Sequence, residues 1–333
     1  MEIRPDWLAR VREDVVDPDR RIVDPHHHLW SYDPPGPYRL PELHADTGDG
    51  HRVEQTVYVE CMADYRAEGP AELQPVGETE SVARAASDSA ASGGARIAGI
   101  VGFADLTLAE HVRPVLEAHV AAGDGIFRGI RHVAAFDESE AVYASHTNPG
   151  PRLYTEDPFR RGFAQLAPMG LRFDAWSYHH QIPLVGDLAR AFPETTIILD
   201  HLGGPLGVGP YAGRREEVFT EWKRNIAALA QCANVVVKLG GFAMALNGWD
   251  WHHRAEPPTS DEIVRACGHW YAHVIDCFGP SRCMFESNFP VDKESLGYRV
   301  LWNAFKKMAD SFSEDEKDQL FRGTAQSAYG LTD

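Results

Sequence analysis

The sequence predicts a single (β/α)8 barrel, and three observations lead to this fold class. Eight short, β-rich apolar runs recur along the 333 residues, with amphipathic stretches between most of them. Strands that alternate with helices are typical of parallel α/β folds, and eight repeats in a chain of this length favour a closed barrel. No GxGxxG motif follows the first run, which disfavours the alternative of a doubly wound open sheet.

The elements are expected in regular order. The predicted strands cover residues 21–30, 55–61, 97–105, 127–134, 171–178, 196–203, 234–241 and 283–290. The predicted helices between and after them cover residues 108–122, 158–169, 183–192, 215–232, 260–278, 298–309 and 313–329. The last helix is expected to begin at the capping signal that Ser313 and Glu316 form. We expect one domain, 1–333, in which residues 1–20 form an N-terminal extension.

Composition and charge limit the partners. The formal net charge is -17, so the surface repels nucleic acid phosphates and anionic lipid. No apolar run approaches 18 residues, which argues against a transmembrane helix. The charged N-terminus lacks the apolar segment of a secretory signal, and the five cysteines are scattered. We therefore expect a cytoplasmic protein that acts on a small molecule, with a homodimer as a base-rate expectation.

The stretch IVDPHHHLW, residues 22–30, carries the clearest candidate metal ligands. Residues two apart on a strand point to the same side, so His26 and His28 can both face the barrel axis while His27 points away. Two imidazoles at a strand end are ready ligands for a divalent ion. Catalytic groups of such barrels lie at the carboxyl ends of the strands, where this pair is expected.

Other strand ends supply candidate catalytic groups. His201, after Asp200 in LDHLGGP, is a candidate third ligand or an electrophile that polarises a carbonyl. Glu60 follows an apolar alternation, where a carboxylate is costly unless it is paired or metal-bound. In MFESNFPVDK, Asn288 shares a strand face with Glu286 but cannot act as a base. The base is therefore open among Glu60, Glu286 and Asp292.

A third group of residues is expected to bind the substrate. Arg131 is the better placed of two arginines on the fourth strand, since guanidinium groups fit carboxylates. Alternation places Lys238 on the inner face of the seventh strand. Tyr178 and His179 follow the fifth strand as candidates at the rim of the pocket. Long loops at 31–50, 62–77, 135–157 and 242–258 would wall that pocket.

The motifs IVDPHHHLW, FRGIRHV, LDHLGGP, VVVKLGG and MFESNFPVDK follow one another along almost the whole chain. This ordered set resembles the amidohydrolase superfamily, and within it the amidohydrolase-2 group of TIM-barrel hydrolases. That group includes sugar-lactone and pyrone-dicarboxylate lactonases, with decarboxylases as more distant relatives. The resemblance implies metal-ligand roles for His26, His28 and His201, and it implies that Arg131 contacts a substrate carboxylate.

One position departs from the family pattern. The family usually ends its eighth strand with Ser-Asp-aromatic-Pro, whereas this chain has Asn288 in place of the aspartate. The first hypothesis is still a lactone or ester hydrolase with one divalent ion, Zn²⁺ first and Mn²⁺ if Glu60 and Asn288 give oxygens. Chemistry without a metal stays open. A decarboxylase on the same barrel and a degenerate, ligand-binding barrel are the alternatives.

Overall fold

Eight parallel strands form one sheet in the computed structural model, which describes residues 1–143, 145 and 147–332. Neighbours in the sheet are neighbours in the chain, from the first strand to the eighth. The strands are β1 Arg21–His27, β2 Arg52–Val59, β3 Arg96–Gly102, β4 Phe127–Arg131, β5 Arg172–Ala175, β6 Ile197–Leu199, β7 Val235–Leu239 and β8 Cys283–Phe285. The barrel predicted from the eight apolar runs is confirmed.

The barrel closes where β1 ends. An isolated parallel bridge joins His27 to Phe289, just past β8. The backbone N–H of His28 donates to the carbonyl of Phe289 at 2.8 Å, and that of Asn288 donates to the carbonyl of His26 at 3.0 Å. The seam thus fixes the two predicted site segments against each other.

Helices follow the strands around the outside. They are α1 Pro5–Leu8, α2 Leu40–Thr47, α3 Val76–Ser92, α4 Arg113–Ala122, α5 Asp157–Phe163, α6 Ile182–Ala191, α7 Arg215–Leu229, α8 Ser260–Phe278, α9 Tyr298–Met308, α10 Glu314–Asp318 and α11 Thr324–Tyr329. The Ser313–Glu316 capping box is present, and a π-helical turn at Gln319–Gly323 divides the predicted last helix in two.

Three helices lie in segments for which no helix was predicted. The four-residue helix α1 falls in the N-terminal extension expected at 1–20. Helix α2 falls in the loop expected at 31–50, and the Glu42 carboxylate accepts the Arg39 N–H at 2.8 Å to cap its start. Helix α3 is built largely from Ala and Ser, so its few buried apolar residues give a weak helical period. It ends at Gly93, whose φ of 75° is the left-handed conformation that ends many helices.

The core has two layers. Large side chains such as Trp222 and Trp270 fill the space between the strands and the helices. A second cluster, which includes Ile198 and Met284, is formed mainly by strand residues, and Tyr329 of α11 belongs to it. The packed interior leaves the carboxyl ends of the strands as the place for a site.

All five cysteines are free thiols, as expected. In the part of the chain that the structure describes, the helices are too short or too polar to cross a membrane. The cytoplasmic location and the homodimer stay predictions.

Candidate active site

A cavity of about 510 Å³ opens at the carboxyl ends of the strands. Its polar lining includes His28, Arg131, His201 and Asn288, which stand at or just after the ends of β1, β4, β6 and β8. A larger cavity, of about 740 Å³, is lined by the surface loop 135–149 and contains none of the predicted side chains. The smaller cavity is therefore the candidate active site.

The three histidines at the end of β1 divide as the alternation predicts. The side chain of His27 points to the barrel wall, where its Nε2 lies 3.0 Å from Oγ1 of Thr56. His26 and His28 face the barrel interior together, with ring centroids 5.0 Å apart. The His28 Nδ1 lies 2.8 Å from the carbonyl oxygen of Val59, so it must donate to that oxygen. The Nε2 atom of His28 is left with its lone pair.

His26 lies below His28 and is fully buried. Its Nε2 is 3.4 Å from Nη1 of Arg131, which can only donate, so this nitrogen accepts. Its Nδ1 lies 3.1 Å from Nζ of Lys238 and 2.8 Å from Oε2 of Glu286. Burial, together with the charges of Lys238 and Arg131, lowers the pKa of His26 well below its ordinary value. His26 is therefore neutral at pH 7, and its ring lies between Lys238 and Glu286.

His201 and Glu286 form the closest imidazole–carboxylate contact of the site. The His201 Nδ1 lies 2.7 Å from Oε1 of Glu286, and the His201 backbone N–H donates to the same oxygen at 3.2 Å. The indole of Trp176 packs edge-on against the imidazole, with centroids 4.7 Å apart. With Nδ1 bound to Glu286, only Nε2 of His201 can serve the cavity. This is the arrangement of a base oriented by a carboxylate.

Two glycines after β7 make room for this pair. A Cβ atom on Gly241, whose φ is +60°, would lie 2.1 Å from Nδ1 of His201. A Cβ on Gly240 would lie 2.4 Å from Cγ of Glu286. The Gly-Gly of VVVKLGG is thus explained by the close approach of the two side chains to this backbone.

Lys238 lies beneath the cavity in a closed ion-pair network. Its Nζ is 2.6 Å from Oδ2 of Asp174 and 3.0 Å from Oδ1 of Asp200. The hydroxyl of Tyr329 also donates to Asp174 Oδ2, at 2.7 Å. Burial raises the pKa of Asp174 to about 6, against the opposing effect of Lys238. Burial alone would lower the pKa of Lys238, but these two carboxylates and Glu286 raise it.

Arg131 lines the cavity, but its nitrogens already have partners. Nε donates to Oε1 of Glu60 at 2.8 Å, and Nη2 donates to the Glu60 carbonyl at 2.5 Å. Nη1 lies 3.5 Å from Oδ2 of Asp200 and 3.4 Å from Nε2 of His26. Burial opposes the charge of Arg131, yet the carboxylates of Glu60 and Asp200 raise its pKa. Glu60 therefore serves as the counter-ion of Arg131.

Asn288 is backed by a carboxylate four residues along the chain. Its Nδ2 donates to Oδ1 of Asp292 at 3.0 Å, and the backbone N–H of Ala243 donates to Oδ2 of Asp292 at 3.2 Å. Burial raises the pKa of Asp292 to about 7, although the bond from Asn288 lowers it. Asp292 does not line the cavity and acts on it only through the amide of Asn288.

Three predicted substrate-binding residues lie outside the cavity lining. Lys238 faces inward as predicted, but it lies below the cavity floor. Tyr178 donates through its hydroxyl to the carbonyl of Tyr143 at 2.7 Å. The Nδ1 of His179 accepts from the backbone N–H of Leu206 at 3.4 Å. These two follow the end of β5 at Ala175, where strand alternation no longer applies. The roles of these three residues in substrate binding stay predictions.

Sequence reasoning gave no role to Asp174 and Trp176. Both come from LRFDAWSY, where a carboxylate interrupts an otherwise apolar and aromatic run. An acidic residue in an apolar run indicates a buried carboxylate that needs a partner, and this signal could have identified Asp174 as it did Glu60. Its partner, Lys238, lies 64 residues away in the chain, and nothing local points to it.

His26, Asp200 and His201 form a group that could hold a metal ion. Each offers one ligand atom, and these atoms lie within 4.8 Å of one another. Two nitrogens and one oxygen are donors that zinc accepts. Within the described residues this group includes Asp200 rather than the predicted His28. The donor types fit a divalent ion, but Asp200 is already paired with Lys238 and Arg131, which weakens the site.

Comparisons with known proteins identify the family. A family model described as amidohydrolase matches residues 23–331. The uncharacterized protein y4mH of Sinorhizobium fredii is 31% identical over 93% of this chain and 99% of its own. The L-fucono-1,5-lactonase of Burkholderia multivorans is 28% identical over 71% of this chain and 73% of its own. An amidohydrolase structure from Burkholderia multivorans with bound zinc superimposes with a TM-score of 0.72 and 24% identity, covering 94% of this chain and 100% of its own. The chain therefore belongs to the amidohydrolase family.

Proposed function

We propose that the protein hydrolyses a lactone, or a similar small ester, by general-base attack of water. The observation that carries the proposal is the His201–Glu286 pair at 2.7 Å, with His201 in the cavity lining. The similarity to a lactonase supports the choice of bond. Asn288 stands where the family usually has an aspartate, and in this proposal His201 is the base instead.

The first step is the activation of water. Glu286 accepts the hydrogen of His201 Nδ1, which leaves the lone pair of Nε2 to take a proton from a water molecule in the cavity. The resulting hydroxide attacks the lactone carbonyl carbon, and the carbonyl π electrons move to the oxygen. Glu286 then stabilises the imidazolium of His201. The Nε2 of His28, also a lone-pair acceptor, orients the second hydrogen of the same water.

The negative charge on the former carbonyl oxygen needs donors. Arg131 and Asn288 line the same cavity and offer a guanidinium and an amide. Fixed donors aimed at a developing oxyanion supply a large share of catalysis in acyl transfer. We assign Arg131 to this oxygen in place of the predicted substrate carboxylate. Its Nη2 donates one hydrogen to the Glu60 carbonyl and has a second one left, which suffices for a single oxygen but not for bidentate pairing with a carboxylate.

The intermediate collapses with cleavage of the ring C–O bond. The electron pair of that bond goes to the leaving alkoxide, which takes the proton from His201 Nε2. The product is the open hydroxy acid, and His201 returns to its neutral form. One water is consumed for each ring opened, and the imidazole acts first as base and then as acid.

A divalent ion, Zn²⁺ first and Mn²⁺ second, would be held by His26, Asp200 and His201. When bound, it would polarise the carbonyl and lower the pKa of a bound water. His201 has only Nε2 left, so it can bind the ion or accept a proton, but not both. The pairing of Asp200 with Lys238 and Arg131 favours the proton-accepting role.

The decarboxylase alternative is less well supported. A decarboxylase must hold a substrate carboxylate, and Arg131 is already neutralised by Glu60 at 2.8 Å. The degenerate-barrel alternative rested on Asn288 alone, and the His201–Glu286 pair supplies the group that this alternative lacks.

A panel of lactones tests the proposal. Sugar lactones, aromatic ring-cleavage lactones and alkyl lactones are assayed by proton release, with the protein purified with and without chelator. We expect turnover of at least one class, with one proton released per ring. Failure to open any member, or release of carbon dioxide without water uptake, would overturn the proposal.

A further inference from the structure

The outer part of the cavity is apolar. Twelve of its eighteen lining residues are aromatic, aliphatic or sulfur-containing. Among the residues that the structure describes, five large hydrophobic side chains are exposed, and four of the five line this cavity. Those four are Met1, Tyr32, Met62 and Tyr143. Exposed apolar groups gathered at one opening mark a binding surface rather than chance.

An aromatic stack connects this rim to the reacting groups. The ring of His28 stacks on Trp30 with centroids 6.2 Å apart, and Trp30 stacks on Tyr32 at 5.8 Å, both with interplanar angles of 22°. Alternation along the chain from β1 thus builds a continuous flat wall. Trp176, against His201, forms part of the lining with it.

The polar atoms of this wall are used within the protein. Nε1 of Trp30 donates to the carbonyl of Gly36 at 3.0 Å, and the hydroxyl of Tyr32 donates to the carbonyl of Cys61 at 2.7 Å. The rings therefore offer carbon faces to a ligand. Ring hydroxyls of a sugar lactone would lose water there without gaining partners, which is costly.

The charges below the wall disfavour an anionic ligand. The buried floor carries more carboxyl groups than cations, because Arg131 and Lys238 face a larger set of acids. That set is Glu60, Asp174, Asp200, Glu286 and Asp292. Both cations lie within 3.0 Å of a carboxylate. A further carboxylate, on the substrate, would enter an electrostatic field that is already negative.

We infer that the substrate is an uncharged lactone that carries an alkyl or aryl substituent, which lies along Trp30 and Tyr32 towards Met62 and Tyr143. This inference rests on the proposed lactone hydrolysis for the reacting end of the ligand only. The expected selectivity comes from the apolar side chain, and it excludes polyhydroxy and carboxylate-bearing lactones as preferred substrates.

A chain-length series tests this substrate class. Six-membered lactones with unbranched side chains of zero, two, four and six carbons are compared with a polyhydroxy lactone and with one ending in a carboxylate. Each methylene that enters the apolar cavity should raise kcat/KM about fourfold until the cavity is filled. A higher kcat/KM for the hydroxylated or the carboxylate-bearing lactone would overturn the inference.

Rim variants locate the effect. Met62→Gln and Tyr143→Ser should reduce the gain per methylene, because each removes apolar surface at the cavity mouth. Val120→Thr is the matched control, since Val120 is 43% exposed against 44% for Met62 but lies on α4, outside the cavity. It should leave the series unchanged. An equal loss in all three variants would contradict a role for this rim.

The failure of lactone hydrolysis and the failure of this inference are separable. Cyclic amides with the same side chains resist hydrolysis, and calorimetry gives their affinity whether or not any lactone turns over. Affinity that rises with chain length supports the apolar subsite. Affinity that does not change with chain length overturns it. Light scattering gives a second test: if the protein is a dimer that Met62→Gln converts to a monomer, and the affinities stay unchanged, the rim is a subunit contact and the inference is wrong.

Discussion

Two layers of polar side chains cross the barrel near its carboxyl end, and they differ in what their atoms face. In the lower layer, Lys238 lies between Asp174 and Asp200 at 2.6 and 3.0 Å, and it does not line the cavity. In the upper layer, His28 and His201 each use Nδ1 on a protein acceptor, at 2.8 and 2.7 Å. Each of these histidines keeps Nε2 for the cavity.

The difference separates structure from chemistry. The charged groups of the lower layer pair with one another and not with the cavity, so replacing them should lower mainly the stability of the fold. Each imidazole of the upper layer has one nitrogen free to accept a proton, so replacing these histidines should lower mainly the rate of hydrolysis. Polar residues at neighbouring strand ends thus take different roles according to depth.

Replacing the proposed base should give the largest effect. His201→Gln keeps a similar volume and a polar group but removes the proton acceptor, so kcat should fall about 10²- to 10⁴-fold on any lactone that turns over. Steady-state kinetics measure this, with thermal unfolding as the control for the fold. A loss below threefold would assign the base elsewhere.

Breaking the lower layer should act on stability. Lys238→Met leaves Asp174 and Asp200 buried without their cation, which should cost about 3–5 kcal/mol in the free energy of unfolding. Urea denaturation measures it. Lys307→Met is the matched control, because Lys307 pairs with the exposed Asp261 at 2.6 Å on the surface and should matter far less. Equal effects of the two substitutions would erase the distinction between the layers.

The ionisation of Asp292 should make the free energy of unfolding depend on pH. Burial raises its pKa from 3.8 to about 7, so between these values the folded chain holds a proton that the unfolded chain has lost. This group therefore contributes stability at low pH that is lost as the pH rises to about 7. Asp292→Asn should remove up to one proton from the pH dependence of unfolding, measured in urea from pH 4.5 to 8. An unchanged slope would mean that Asp292 is ionised throughout.

A residue outside the cavity should give the smallest effect. Tyr178→Phe removes the hydrogen bond from the hydroxyl to the carbonyl of Tyr143, which is worth about 0.5–1.5 kcal/mol of stability. Its kcat/KM should stay within twofold of the wild type. A tenfold loss of kcat/KM with an unchanged melting temperature would support the predicted role of Tyr178 in substrate binding.

The sequence was sufficient where local geometry decides. The barrel followed from eight apolar runs, and the split between His27 and the pair His26–His28 followed from strand alternation. The sequence shows Gly240 and Gly241, but the reason for them is clear only from the structure, in which the side chains of His201 and Glu286 lie against this backbone.

The depth of a side chain was not available from the sequence. Alternation gave the inward direction of Lys238 but not its level, which depends on how far each strand reaches along the barrel axis. Tyr178 and His179 lie outside the cavity lining for another reason, since β5 ends at Ala175 and a helical turn begins at His179. The counter-ion role of Glu60 depended on Arg131, 71 residues further along the chain.

The most direct test of the central claim, that His201 acts as the base, is kcat/KM for lactone hydrolysis by protein whose metal content has been measured by elemental analysis. Chelator-treated protein with less than about one-hundredth of an equivalent of zinc should keep its activity, because the imidazole and not an ion activates water. Activity that disappears on chelation and returns with one equivalent of Zn²⁺ would contradict the account and assign His201 to the metal.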